Sequence, residues 1–174
     1  MRWMILALVT AMGCTGMEGG TTSTTGHGAG TLTASGGLNG MAADYAGDDY
    51  APGPDQSVYG LSLSDPSAIG TLGSISFMIS VPGDVATGEQ AARADRWSVI
   101  ANSPDGKNQW QAHYDSSDPT ASLGALTFDV TSFAQSPTEM STATHKAYQV
   151  HGSADATLDV VDGSGGAVMI HATF

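Results

Sequence analysis

Ser74-Ile75-Ser76-Phe77-Met78-Ile79-Ser80-Val81 places a large apolar residue at every second position. A period of two is the signature of an extended strand with one face buried and one face wet, because successive side chains leave opposite sides of the backbone. The same period recurs on both sides of this stretch. Trp110, Ala112 and Tyr114 alternate with Gln111, His113 and Asp115, and Leu126, Phe128 and Val130 alternate with Thr127 and Asp129. Val168, Ile170, Ala172 and Phe174 alternate with Met169, His171 and Thr173. Further strands are expected at 31–35, 41–45, 57–63 and 97–101, and over a long stretch at 148–160 that Gly152 interrupts with a bulge.

The connections carry turn chemistry. Asn39-Gly40 reads as a two-residue hairpin turn, since both positions of such a turn need positive φ. Ser103-Pro104-Asp105-Gly106 presets the first corner with proline and closes with glycine, so it joins strand 97–101 to strand 109–115. Residues 162–166 join the last two strands, and only 89–95 reads as helical, for one or two turns. About eight or nine short strands with turn signals between them predict an all-β domain, a single antiparallel β-sandwich or small barrel.

That domain spans residues 31–174. Residues 15–30 are mostly Thr, Gly and Ser. Such a stretch buries too little apolar surface to offset its chain entropy and reads as a flexible tether. Before it stand Met1-Arg2-Trp3, the apolar run Met4 to Met12, and Gly13-Cys14. One positive charge, a short apolar run and a small residue make an export signal over residues 1–13. A spanning helix needs about 20 apolar residues and this run is about half that.

Ala11-Met12-Gly13-Cys14 resembles the lipobox of bacterial lipoproteins. The resemblance implies that Cys14 is lipidated, is acylated at its new amino terminus, and becomes the first residue of the mature chain. Thr15 rather than Asp follows it, which in that family implies the outer membrane. Ala11-Met12-Gly13 also fits an ordinary signal-peptidase site, which would leave a soluble secreted protein. Cys14 is the chain's one cysteine, so the folded part contains no disulfide and its core must hold it together. The Gly-, Ala-, Thr- and Asp-rich composition is similar to that of other bacterial lipoprotein domains and carries no function of its own.

Seventeen acidic residues stand against five basic ones, a formal net charge of −12, and Arg2 leaves with the signal. A nucleic-acid surface needs a stripe of Lys and Arg, so this balance argues against such a partner and against adsorption to anionic lipid. Asp44, Asp48, Asp49 and Asp55 crowd one Gly/Pro-rich stretch. They read either as solvated loop acids or as a calcium site, since calcium collects loop carboxylates and carbonyls.

The remaining motifs each have a plain reading. His113, His145, His151 and His171 lack the spacing of a zinc or copper site, although His113 and Asp115 share a strand face. Trp97, Trp110, Tyr114 and Tyr148 suit a sugar-binding face but also fall on apolar strand positions, where aromatic rings fill cores. Asp162-Gly163-Ser164-Gly165-Gly166 resembles the nucleophile loop of chymotrypsin-like proteases, but Gly163 replaces the expected Asp and no base accompanies Ser164. Phe174 closing an alternating strand resembles the end of an outer-membrane barrel, without the long strands and aromatic girdles of that class. Together these readings predict a monomeric, lipid-anchored envelope protein with a non-enzymatic binding or structural module. A calcium- or carbohydrate-dependent adhesion module is the alternative.

Overall fold

A computed structural model describes residues 30–43, 47–53, 56–63, 72–135 and 146–174. The signal, Cys14 and all but the last residue of the tether lie outside the described residues, as do Asp44, Asp55 and His145. Eleven strands form among the described residues: β1 Thr31–Gly36, β2 Gly40–Ala43, β3 Gly47–Gly53, β4 Gln56–Leu63, β5 Ser74–Pro82, β6 Gly88–Glu89, β7 Arg96–Asn102, β8 Gln109–Asp115, β9 Ala125–Gln135, β10 Lys146–Asp162 and β11 Val168–Thr173. Single 3₁₀ turns occupy Ala91–Arg93 and Pro119–Ala121. The all-β expectation holds, and every strand pairing is antiparallel.

The strands belong to one sheet rather than two separate ones, ordered β2-β1-β11-β10-β3-β4-β5-β7-β8. The sheet curls back on itself through β10. The beginning of β10 bonds β3, with Lys146 opposite Ala51, and its end bonds β8, with Asp159 opposite Gln111. The path β10-β3-β4-β5-β7-β8 therefore returns to β10 as a closed ring. Strand β9 lies along the other edge of β10 from β3 and β11, since Tyr148 pairs with both Asp49 and Gln135, and Ala154 with both Ala172 and Phe128.

The core lies inside this curl. Ile75, Phe77, Ile79 and Val81 are buried, as are Trp110, Ala112, Phe128, Val130 and the alternating set of β11. Polar residues such as Thr33, Thr127, Asp155, Thr157 and His171 are exposed on the other face. An outer-membrane barrel has the opposite arrangement, with an apolar band facing outward. The segment between β5 and β7 supplies a large polar group to the core. Gln90, with no exposed surface, donates through Nε2 to the carbonyls of Gly88 at 2.7 Å and Ala86 at 3.1 Å. Its Oε1 accepts from the Tyr59 hydroxyl at 3.3 Å. A buried amide so matched costs little, whereas an unmatched one costs about 1–3 kcal/mol.

Several connections differ from the sequence reading. Asn39-Gly40 is not a two-residue turn: Gly40 already pairs with Ala34, so the loop is 35–39. The positive φ falls on Gly36, at 99°. The Asn39 amide closes the loop from its side chain, accepting from Gly36 N at 3.1 Å and donating to Gly36 O at 2.7 Å. The wider loop lets Leu38 reach the core, where it is buried. Residues 47–53, read as part of an acidic loop, form β3, bonded to β10 and β4. Ser103–Gly106 does form the β7–β8 turn, with Gly106 N donating to Ser103 O at 2.9 Å and Gly106 at φ 69°.

Gly152 marks the expected bulge, where the register of β10 against β9 slips between His151 and Gly152. A Cβ there would stand 1.9 Å from the carbonyl oxygen of Asp129. Gly152→Ala should therefore cost about 3 kcal/mol, the upper end of the range for overpacking. Gly60→Ala is the control, since its nearest atom would be Phe77 O at 4.0 Å. Equal urea midpoints for the two variants would contradict the bulge.

Candidate functional site

Register decides which polar side chains meet on the outer face of β4, β5, β7 and β8. Ser80, Arg96 and Asp115 form one row across three strands, and Met78, Ser98 and His113 form the next. Long side chains stand around small ones. Ser80 and Ser98 lie between Gln56, Met78, Arg96, Gln111 and His113, and the result is a groove of about 550 Å³. That volume is within the range of small-ligand sites.

Trp97 and Tyr114 lie between these residues along β7 and β8, so strand alternation sends their rings to the opposite, core-side face. They face each other across β7 and β8, and their rings stack with centroids 6.2 Å apart and planes 24° apart. The same two residues border a second depression of about 350 Å³ with Glu89, Ala92 and Thr127.

The groove's charged groups oppose each other. Asp115 accepts from the Ser117 hydroxyl at 2.6 Å and the Ser117 amide at 2.8 Å. The Ser117 hydroxyl, then its backbone N–H, then the positive charge of Arg96 hold the Asp115 carboxyl below its ordinary range. Asp115 is therefore an anion at neutral pH, with Arg96 beside it in register. Gln56 Nε2 donates to Ser80 Oγ on the floor. His113 Nδ1 is buried without a hydrogen-bond partner among the described residues.

Of the aromatic residues singled out by sequence, Trp97 and Tyr114 lie on the strands beneath this groove, with their rings on the core side. Trp110 belongs to the core, and Tyr148 packs edge-on against Phe133 with centroids 5.7 Å apart. His113 and Asp115 do share the groove face. Gln56, Ser80, Arg96, Ser98 and Gln111 were not singled out. They carry no motif and are assembled only by strand register.

The other described histidines, His151 and His171, do not line this groove. His171 Nδ1 contacts Asp155 Oδ1 at 2.7 Å, both side chains being more than half exposed. They line a smaller depression of about 320 Å³ with Thr33, Thr127, Thr157 and Met169. The nearby Thr33 hydroxyl donates to the His171 carbonyl at 3.4 Å rather than to the ring. His151 is exposed on β10. Among the described residues no three His, Cys, Asp or Glu side chains come together as a metal site.

For the calcium reading, Asp48 and Asp49 are strand residues, opposite Gly60 and Tyr59 of β4 and Gln149 and Tyr148 of β10. A strand paired on both sides commits its carbonyls to the ladder, so this stretch does not offer the free loop carbonyls that calcium favours. Ser164 is likewise a hairpin residue, its amide donating to Asn108 Oδ1 at 2.8 Å. No family model, curated protein or solved structure matches the chain.

Proposed function

We propose that this protein is a monomeric, lipid-anchored component of the bacterial cell envelope, held at the outer membrane, that acts by binding through the groove over β4, β5, β7 and β8. The observation that carries the binding role is the groove itself: a depression of about 550 Å³ with amide, imidazole and charged groups around a floor of serines. The anchor rests on the likeness of Ala11-Met12-Gly13-Cys14 to a lipobox. Residues 14–30 then separate membrane and domain as a tether, and two or three acyl chains give the firm attachment that one chain does not.

Binding fits this site better than catalysis does. Catalytic acid–base work needs a titratable group poised against a reacting atom. Asp115 is instead held ionised by Ser117 and Arg96. The close His171–Asp155 pair is on a different part of the surface and open to water.

Intact-mass measurement of the mature protein should show a diacylglyceryl increment on residue 14. Cys14→Ser should move the protein from the membrane to the soluble fraction, and a mature chain with an unmodified thiol would overturn the anchor. For binding, the lipid-free Cys14→Ser chain should be retained on purified envelope fragments. Adding Ser98→Leu, which fills the groove floor, should abolish retention with little change in melting temperature. Unchanged retention would remove the groove from the function.

A further inference from the structure

We infer that His171, Met169 and Met41 form a binding site for copper(I) on the outer face of β11, β1 and β2. The site lies outside the groove and does not depend on it.

His171 is set up as a ligand. Its Nδ1 stands 2.7 Å from Asp155 Oδ1. An ionised carboxylate only accepts, so the neutral ring carries its proton on Nδ1 and presents a bare lone pair at Nε2. A carboxylate on the far nitrogen is the common support of a metal-binding histidine, because it fixes the tautomer and raises the basicity of the ring. No hydrogen bond to Nε2 forms among the described residues. The side chain is 51% exposed, so an ion can reach it.

Strand register brings two thioethers to that nitrogen. Met169 precedes His171 by two residues on β11, so the two side chains share a face about 7 Å apart. Met41 pairs with Thr33, and Thr33 with His171. Met41, Thr33 and His171 thus form one row, with the Cα atoms of its ends about 10 Å apart and only a short threonine between them. Methionine is unbranched and flexible, so its sulfur can reach over that threonine. Met41 is 69% exposed and Met169 58%. Neither fills the core. Thr33 and Ser35 stand between them, so they make no continuous apolar patch either. Ligation gives these exposed sulfurs a role.

The donor set selects the metal. Thioethers are soft ligands and imidazole suits copper, a combination that favours copper(I). Structural zinc takes four ligands from thiolate, imidazole and carboxylate, and no three such groups meet among the described residues. Calcium and magnesium take oxygen. No Lys or Arg lines the depression beside His171, and the net charge of −12 favours a cation. Met78, Ser98 and His113 form a similar row in the groove, but there Arg96 occupies the next row and opposes a cation.

The test uses the mature Cys14→Ser chain, which has no thiol to compete. It is titrated without oxygen, with copper(I) held reduced by ascorbate and bicinchoninate as the competing chromophore. The chain should take one copper(I) from the chelator. His171→Gln and Met169→Leu should each weaken binding by about tenfold or more, Met41→Leu should weaken it too, and Asp155→Asn should cost about tenfold through the ring it supports. His151→Gln is the control and should change nothing. In the unsubstituted Cys14→Ser chain, labelled with 13C at its methionine methyls, silver(I) as a diamagnetic stand-in should shift the Met169 and Met41 signals. Failure to take copper(I) from the chelator, silver(I) leaving both signals in place, or displacement of copper(I) by equimolar zinc(II) overturns the inference. So does unchanged affinity in His171→Gln or in both methionine variants, or an equal loss in His151→Gln.

Discussion

Phe128→Ala should lower the stability of the domain by about 3–5 kcal/mol, the usual cost of deleting a buried aromatic ring. Phe128 has no exposed surface. Its ring lies between Tyr59, with centroids 5.6 Å apart, and Phe174, at 5.1 Å. The three rings join β4, β9 and the end of the chain, so truncation opens a cavity where distant segments meet. The neighbouring backbone is also pinned: Phe128 N donates to Glu89 Oε1 at 3.1 Å, and Phe128 O accepts from Gln90 N at 2.7 Å. Those bonds do not use the ring, so they limit how far the walls collapse to refill the space. Phe128→Leu retains most of the volume and should cost less. Urea unfolding followed by circular dichroism measures both variants, and a loss below about 1 kcal/mol for the alanine would show that the ring is not in the core.

Trp110→Ala should cost a similar amount, about 3–5 kcal/mol. Trp110 is 1% exposed, and its indole Nε1 donates to the Gly166 carbonyl at 3.0 Å. It supports two hairpin loops at once. A Cβ on Gly37 would stand 3.0 Å from that nitrogen, which shows how closely loop 35–39 lies over the ring. Trp110→Phe separates the two contributions. It keeps most of the apolar volume but leaves the Gly166 carbonyl without its donor, for an expected loss of about 1–3 kcal/mol. In native Trp110→Phe the remaining domain emission comes from Trp97, so its spectrum should shift to the red. Equal losses for the alanine and phenylalanine variants would assign the whole effect to the hydrogen bond.

The strands with one dry face were legible because their alternation is local. In β5, Ile75, Phe77, Ile79 and Val81 are all buried, and the same holds for Val168, Ile170, Ala172 and Phe174. The bulge at Gly152 was legible too, because a glycine inside a long strand signals a place where a side chain does not fit. Strand β3 was not. Gly47-Asp48-Asp49-Tyr50-Ala51-Pro52-Gly53 lacks alternation and is rich in residues that disfavour strands. It is a strand because β4 and β10 flank it and take up its backbone groups. The Asn39-Gly40 turn failed for a related reason. Burial of Leu38 and the bonds from the Asn39 amide favour a longer loop than the dipeptide alone suggests.

The groove shows the same division. The sequence marks Trp97, Tyr114, His113 and Asp115 as candidates but cannot choose between core and surface for the aromatic pair. Trp110 and Tyr114 have the same strand parity, yet Trp110 is fully enclosed while Tyr114, near the strand's end, is only partly covered. What places a residue inside or at the rim is how far along the strand the curl of the sheet still covers it, and that depends on segments distant in sequence. By itself the sequence determined the all-β class, most of the strands and which face of each is dry, because these follow from side-chain alternation within a few residues. Only the tertiary structure decided that the sheet is single, that it closes through β10, and that Gln56, Arg96, Gln111 and His113 share one groove while the Trp97–Tyr114 pair stands on the other face, because strand order and register arise from pairings between residues far apart in the chain.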